Sequence, residues 1–255
     1  MRHIVGLSGG KDSTAMALRL RELHPDVEFE YICTPTGNEL DEMHAHWSFL
    51  ESILSSPLVR LSGSGSVGQT ESLETLIDHF TALPNNRMRW CTRILKIEPT
   101  LDFLEKIGRC KFYVGLRADE EQRVGGVYDE IEGAEQIFPM RDWGWSVGDV
   151  WDYLNNQGIT IPPRSDCALC YHQRLGEWYN LWSDHPQQYA KGIEIEMRVS
   201  KSRGKPCTFR NDSRDTWPAS LVGLAERFEQ GDIPQGADPT LDLFGGGGIC
   251  RTCTL

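Results

Sequence analysis

Apolar residues recur in two alternating patterns along the first 160 residues. Short apolar runs are typical of buried parallel strands, and they predict strands at 2–7, 27–33, 58–61 and 111–116. Apolar positions spaced three or four residues apart predict helices at 13–24, 41–54, 72–83, 92–107 and 146–157. Strands that alternate with helices indicate a parallel sheet between helical layers. We therefore expect a three-layer α/β fold with helices on both faces of the sheet.

Polar residues and glycines set the predicted ends of two helices. Ser13 is the expected N-cap of the first helix, and Pro25 follows its end. Ser146 is the expected N-cap of the helix at 146–157, and Gly158 is expected just beyond its last turn. These residues predict where each helix begins and ends.

The pattern changes after Pro162 and Pro163. A helical pattern rich in Trp follows, and four consecutive glycines at 245–248 predict a flexible tail. We therefore predict an α/β domain over 1–163. A helical, cysteine-bearing C-terminal subdomain with a Gly-rich tail is predicted over 164–255.

Composition limits the classes of function. The 255 residues are 39% hydrophobic and 25% charged, which is enough for a folded core. The chain holds 26 basic and 37 acidic residues, a net charge of −11, so any binding site for an anion must be local. No apolar run reaches the roughly 18–20 residues of a membrane helix. A strand-like start argues against a secretory signal, so we expect a cytoplasmic protein without a membrane partner.

The strongest candidate for chemistry is the sequence Ser8, Gly9, Gly10, Lys11, Asp12, Ser13, between a predicted strand and a predicted helix. Free amides and the positive end of a helix bind anions at such a junction. The glycines let the backbone approach phosphate oxygens, and Lys11 adds a positive charge. Asp12 either orients the loop or holds a magnesium ion. The alternative is a glycine turn with an ordinary helix cap.

The cysteines form a second candidate site. Two C-x-x-C pairs, Cys167 with Cys170 and Cys250 with Cys253, are typical of metal or redox sites in a chain without an export signal. Cys91 is a third candidate ligand, and the glycines before Cys250 allow the tail to fold back. Cys207 competes with the tail as the fourth ligand, whereas Cys33 and Cys110 are expected to be packing residues. An all-cysteine site suits iron–sulfur or zinc, and a dithiol without metal stays open.

Basic residues outside the glycine loop are further candidates. Arg117 follows a predicted strand at the sheet edge where ligands bind, and with Arg123 it could hold phosphate or sulfate. A salt bridge to the acidic residues 119–121 is the alternative. Arg89, Arg93 and Lys96 could face one anion or form a solvated helix face. The basic stretch from Arg198 to Arg214 could bind tRNA or DNA, or be a solvated loop.

Five segments together resemble the PP-loop superfamily, the adenine nucleotide alpha-hydrolases, and within it the phosphoadenosine phosphosulfate (PAPS) reductase-like family. The matching segments lie at 8–13, 34–39, 89–99, 115–123 and 138–151. The resemblance implies binding of ATP or PAPS, with Mg as a further candidate. It implies nucleotide contacts from Ser8, Gly9, Gly10, Lys11, Asp12, Ser13, Thr36, Gly37, Glu39, Arg117 and Arg123, of which Lys11, Asp12 and Arg117 are the candidate catalytic residues. It also implies a 4Fe-4S cluster on cysteines drawn from Cys91, Cys167, Cys170, Cys250 and Cys253.

The resemblance leaves two reactions and one non-catalytic role open. The first is a nucleotide-dependent sulfur transfer like that of PAPS reductases, with a thiol reductant as partner. The second is ATP-dependent adenylation followed by thiolation of tRNA or DNA, with a sulfur donor protein. Lysine at position 11 favours an ATP user, because a pyrophosphate must be neutralised. The third is a nucleotide sensor with a structural zinc and no turnover.

Overall fold

A five-stranded, fully parallel sheet is the centre of the fold in the computed structural model. The structure describes residues 1–62, 72–120, 122, 131–211 and 215–237. The strand order is β3-β2-β1-β4-β5, and each neighbouring pair runs parallel. The strands are β1 (Arg2–Gly6), β2 (Phe29–Cys33), β3 (Leu58–Arg60), β4 (Cys110–Tyr113) and β5 (Ala134–Ile137).

Helices connect and surround the strands. In the first part of the chain they are α1 (Lys11–Leu23), α2 (Asp41–Leu54), α3 (Leu73–Phe80), α4 (Trp90–Thr92), a π-helical turn (Arg93–Ile97) and α5 (Glu98–Ile107). In the second part they are α6 (Pro139–Asp142), α7 (Val147–Asn156), α8 (Leu175–Asp184), α9 (Pro186–Arg203) and α10 (Leu221–Glu229).

The two faces of the sheet are covered by different helices because strand side chains alternate between faces. Val5 of β1 packs with apolar residues of α1, α2 and α7. The next residue back, Ile4, packs on the other face with Leu104 of α5. The predicted α/β fold with helices on both faces is therefore confirmed.

The strand order places a switch point between β1 and β4. The chain leaves β1 toward β2 on one side and returns later to form β4 on the other side. The loops that follow these two strands part in opposite directions, which opens a crevice at the carboxyl edge of the sheet. The glycine loop at 8–13 follows β1, and Arg117 follows β4, so both predicted anion-binding segments lie at this crevice.

Helices α8, α9 and α10 form the predicted helical C-terminal region. They share a buried core with α3, in which Trp178 and Tyr189 are 0% and 2% exposed. The domain boundary at residue 163 stays a prediction. No helix in the described ranges combines the length and the apolar character needed to cross a membrane.

Three local expectations differ from the structure. Helix α1 begins at Lys11 with Gly10 as N-cap, so the prediction of Ser13 as N-cap is wrong. The Ser13 hydroxyl instead donates back to the Gly10 carbonyl, 3.1 Å away, from inside the first turn. Strand β5 was not predicted, because its sequence, Ala-Glu-Gln-Ile, has the polar composition of an edge strand. The helix predicted at 92–107 contains the π-helical turn.

Candidate functional site

Gly9 gives the loop after β1 its shape. Its φ is +86°, and a Cβ built there would lie 2.2 Å from Met43 Cε and 2.7 Å from Trp47 Nε1. Trp47 Nε1 donates to the Ser8 carbonyl at 2.9 Å. Both the positive φ and the lack of room for a Cβ therefore require glycine at this position. Helix α2 holds the loop through the bond from Trp47 to Ser8.

The loop leads directly into the start of α1. Gly10 has an extended backbone, and no side chain of the described residues caps this helix. The hydroxyls of Ser8 and Ser13 lie 3.0 Å apart, and the Gly10 N–H donates to Ser8 Oγ at 3.3 Å. A helix N-terminus of this kind presents amide donors and the positive end of the helix dipole to an anion. The predicted strand, glycine turn and helix start are therefore present, and phosphate binding at this loop stays a prediction.

Asp12 lies at the centre of a buried network of charges. Its Oδ2 atom is 3.1 Å from Lys11 Nζ and 2.9 Å from Arg117 Nη1. The three residues are 5%, 8% and 3% exposed, respectively. Asp12 Oδ1 is buried and has no hydrogen-bond partner within the described part of the chain. One carboxylate therefore contacts both predicted phosphate-binding cations.

Arg117 connects this network, through Asp119, to the start of α7. Its Nε donates to Asp119 Oδ1 at 2.8 Å, and its backbone N–H donates to Glu120 Oε2 at 3.2 Å. Asp119 Oδ2 in turn accepts from the Val147 N–H at the start of α7, at 3.0 Å. Arg117 therefore forms the predicted alternative, a salt bridge with the neighbouring acidic residues Asp119 and Glu120, and it does so while buried. A direct contact between Arg117 and phosphate stays a proposal.

The turn after β2, at 34–40, contains the other predicted nucleotide contacts. Glu39 Oε1 accepts from the Thr36 N–H at 2.8 Å and from the Thr36 hydroxyl at 2.6 Å. Gly37 has a φ of +69°, and a Cβ there would lie 2.8 Å from Ser72 Cβ. Glu39 therefore stabilises the turn in which it lies. The positive φ of Gly37 is a conformation that favours glycine.

Three of the predicted metal ligands meet in one cleft. Its lining contains Cys91, Cys167 and Cys170 together with Thr36 and Lys96, and we call it the thiol cleft. Thr36 Oγ1 lies 3.1 Å from Cys167 Sγ. The six cysteines in the described ranges all carry free thiols. Residues 76 positions apart in the chain, from Cys91 to Cys167, thus reach the same surface.

The thiols of this cleft hold their protons strongly. Burial, with a contribution from Cys167, raises the pKa of Cys170 to about 12. Burial also raises the pKa of Cys167 and of Cys91, and in both cases the ammonium of Lys96 opposes the rise. A metal ion binds thiolates, so it would have to displace these protons on entry.

The donor set of the thiol cleft fits a soft metal centre by its chemistry. Within the described ranges, no three His, Cys, Asp or Glu side chains lie close enough to hold one metal ion. Cysteine thiolates are ligands of both zinc ions and iron–sulfur clusters, so Cys91, Cys167 and Cys170 are candidate ligands for either group. Cys250 and Cys253 lie outside the described residues.

The glycine loop and the thiol cleft adjoin. A Cβ built on Gly10 would lie 3.2 Å from Ser165 Oγ, and Ser165 precedes Cys167 by two residues. Thr36, in the turn after β2, contacts the cleft from the neighbouring strand. The loop that can bind an anion and the cysteines that can do sulfur chemistry therefore lie side by side at one edge of the sheet.

The described part of the structure does not place Arg93, Cys207 or Arg123 at this site. Arg93 is paired with Glu98 at 2.8 Å on an exposed surface, whereas Lys96 lines the thiol cleft, so these two cations do not share a face. Cys207 packs against the helical core, as Cys91 does, but unlike Cys91 it does not line the thiol cleft. Arg123 lies outside the described residues.

Two arginines of the basic stretch from Arg198 to Arg214 form ion pairs with acidic side chains. Arg198 pairs with Asp78 at 2.8 Å, and Arg210, 3% exposed, pairs with Asp215 at 2.7 Å. Arg214 lies outside the described residues. An extended basic surface for a polyanion is therefore not formed by Arg198 and Arg210.

The fold and the site define a class: a parallel α/β domain with a glycine loop at its switch point and cysteines beside it. The chain belongs to the phosphoadenosine phosphosulfate reductase domain family, whose model matches residues 2–171. Two uncharacterized proteins of Methanocaldococcus jannaschii are similar. MJ0066 is 25% identical over 74% of this chain, and MJ0973 is 26% identical over 75%. The chain spans 40% and 46% of the length of these relatives.

Solved structures give more distant likenesses. PAPS reductase from Candida auris, in a phosphate complex, is 16% identical over 63% of this chain and 75% of its own, with a TM-score of 0.48. The U34-tRNA thiolase NcsA from Methanococcus maripaludis, with its 4Fe-4S cluster, is 15% identical over 78% of this chain and 72% of its own, with a TM-score of 0.44.

Sequence reasoning missed residues that hold the site together. Asn38 accepts from two amides between Cys167 and Cys170, and Arg164 donates to the Cys167 carbonyl at 2.8 Å. Asn38 lies inside the segment at 34–39 that resembles the family, and this position is the one signal in the sequence that points to it. The pattern of the sequence gives no sign that Asn38 bonds to the C-x-x-C turn, because Leu169 lies 131 residues away in the chain.

Proposed function

We propose that this protein is a nucleotide-dependent sulfur-transfer enzyme that binds an adenine nucleotide at the glycine loop. The observation that carries the proposal is the proximity of the glycine loop to the thiol cleft, since a Cβ built on Gly10 would lie 3.2 Å from Ser165 Oγ, two residues before Cys167. A phosphate or sulfate held at the start of α1 would lie beside thiols that can accept or deliver sulfur. Membership of the PAPS reductase domain family supports the same sulfur-related role.

The glycine loop and its charges bind and orient the nucleotide in this proposal. The amides of Gly10 and Lys11 donate to phosphate oxygens, and Lys11 Nζ turns from Asp12 toward the added negative charge. The free Oδ1 atom of Asp12 is an oxygen ligand suited to Mg²⁺, and a divalent cation there would weaken the hold of Asp12 on both cations. Arg117, in the loop after β4, holds the glycine loop in position through its ion pair with Asp12.

The thiol cleft supplies the sulfur chemistry in this proposal. Cys91, Cys167 and Cys170 would hold a 4Fe-4S cluster, with the fourth ligand from Cys250 or Cys253. When bound, such a cluster supplies iron for binding sulfur or for passing electrons. Lys96, at the wall of the cleft, would stabilise negative charge that develops on sulfur.

ATP-dependent sulfur transfer is the second candidate. The buried Lys11 favours it, because a positive charge next to the helix start helps to neutralise a pyrophosphate leaving group. A substrate oxygen would be adenylated, and sulfur would displace AMP. The first candidate instead uses PAPS and a thiol reductant, and it releases sulfite.

Lys11→Ala tests the nucleotide site. Loss of a charge-assisted contact should weaken binding of ATP or PAPS by about 1.5–3 kcal/mol, as measured by isothermal titration calorimetry. Lys201→Ala, at the exposed end of α9, is the matched control and should leave affinity unchanged. Equal affinities for both variants and the wild type would remove Lys11 from the site.

Product analysis separates the reactions. Protein purified without oxygen is assayed with ATP for pyrophosphate and with PAPS plus a dithiol for sulfite. Iron and acid-labile sulfide are measured on the same preparation. Nucleotide binding without either product, in a colourless zinc-containing protein, would contradict an enzymatic role and support the sensor.

A further inference from the structure

Asn38, in the turn after β2, holds the C-x-x-C turn of the thiol cleft. The Ala168 N–H donates to the Asn38 carbonyl at 2.6 Å, and the Leu169 N–H donates to Asn38 Oδ1 at 2.8 Å. These are the two amides between Cys167 and Cys170. Asn38 is 4% exposed, so water does not compete for either bond.

The rest of the turn is fixed from its own side of the chain. Arg164 donates to the Cys167 carbonyl through both Nε, at 3.1 Å, and Nη2, at 2.8 Å. The Gln173 amide side chain donates to the Ala168 carbonyl. These partners lie within six residues of the turn, whereas Asn38 is 131 residues away from Leu169. Asn38 is therefore the contact through which another part of the sheet edge reaches the backbone between the cysteines.

Asn38 also belongs to the turn that the proposed nucleotide would touch. Its N–H donates to Glu39 Oε2 at 3.2 Å, and the other oxygen of Glu39 holds Thr36. Thr36 contacts Cys167 Sγ directly. Two routes thus run from this turn to the C-x-x-C pair, one through the Thr36 hydroxyl to sulfur and one through Asn38 to the backbone.

We propose that Asn38 is a positioning residue that holds the Cys167–Cys170 turn against the turn after β2, so that nucleotide binding changes the accessibility of these thiols. The holding contact stands on the geometry alone. The coupling rests on the proposed function. Because Asn38 presents one side-chain acceptor to Leu169, its truncation removes that bond and leaves the backbone bond to Ala168 in place.

The first test measures alkylation of each cysteine by iodoacetamide, without nucleotide or metal, with mass spectrometry as readout. In Asn38→Ala, loss of one buried hydrogen bond should speed alkylation of Cys167 and Cys170 by about 5–10-fold. Cys207, half-buried in the helical core, is the internal reference and should keep its rate. Asn38→Asp keeps an acceptor oxygen and should restore slow alkylation.

Thermal unfolding of each variant guards against general loosening of the fold. If Asn38→Ala does not fold, Asn38→Ser takes its place in the same assay, because the serine side chain is too short for its oxygen to reach the Leu169 N–H. Equal rates at Cys167 and Cys170 in the wild type and the truncated variant would overturn the positioning role. A parallel rise at Cys207 would overturn it as well, because the change would then not be local.

The second test repeats the alkylation with saturating ATP or PAPS, after calorimetry has shown whether each binds. Nucleotide should change the rates at Cys167 and Cys170 in the wild type and in Asn38→Asp, and not in Asn38→Ala. Bound nucleotide with unchanged wild-type rates would overturn the coupling. Failure of both nucleotides to bind would overturn the proposed function and the coupling together, while the first test still decides the positioning role.

Discussion

Arg117 offers the most decisive test of how the crevice is built. Its side chain is 4% exposed, and it lies 2.9 Å from Asp12 and 2.8 Å from Asp119. Arg117→Met keeps much of the side-chain volume and removes the charge. The substitution leaves the carboxylates of Asp12, Asp119 and Glu120 close together without the guanidinium that contacts all three, while Lys11 still pairs with Asp12.

The expected cost follows from burial. Removing one partner of a buried ion pair destabilises a protein by about 3–5 kcal/mol, because the remaining charge stays buried without compensation. Arg2 is the matched control. It makes two bonds to Glu30, at 2.6 and 2.5 Å, but its side chain is 44% exposed, so Arg2→Met should cost at most about 1 kcal/mol.

Urea unfolding followed by tryptophan fluorescence measures both variants. We expect Arg117→Met to lower the free energy of unfolding several times more than Arg2→Met does. Arg117→Met should also weaken nucleotide binding. Arg117→Lys restores the charge without the second donor and should recover part of the loss. Equal, small losses for Arg117→Met and Arg2→Met would refute the reasoning, since the buried network would then not stabilise the fold.

Three further outcomes follow from the structure. Gly9→Ala places a Cβ 2.2 Å from a side-chain atom of α2 and should lower the free energy of unfolding by about 2–4 kcal/mol, as measured by thermal or urea unfolding. The control Gly158→Ala, at a glycine with positive φ but open space around it, should cost about 1–2 kcal/mol. Similar losses for the two variants would contradict the steric argument. Burial raises the pKa of Glu196 from 4.5 to about 7, so the folded protein binds the extra proton and the free energy of unfolding falls as pH rises through that window. Glu196→Gln should flatten this dependence in urea unfolding at several pH values, and an unchanged slope would exclude Glu196 as its source. Cys91→Ser should lower the iron content of anaerobically purified protein, whereas Cys207→Ser should not; equal iron in both would remove Cys91 from the proposed cluster.

Local spacing was enough to predict most of the fold. Apolar runs and helical periodicity depend on neighbouring residues, so four of the five strands and the helices between them could be read from the chain. The glycine loop could be predicted for the same reason, because a strand, a glycine turn and a helix follow each other within a few residues. The exception was β5, whose edge position is a tertiary property.

Tertiary structure alone decided how the site is assembled. Arg117 and Asp12 are 105 residues apart, and Asn38 and Leu169 are 131 apart, and no local pattern specifies such pairs. The sequence showed that Arg117 was basic and near a strand end, whereas only the fold showed that it is buried against the carboxylates of Asp12 and Asp119. The cysteines became one cleft in the same way, since parallel strands bring their carboxyl ends to one edge and with them loops that lie far apart along the chain.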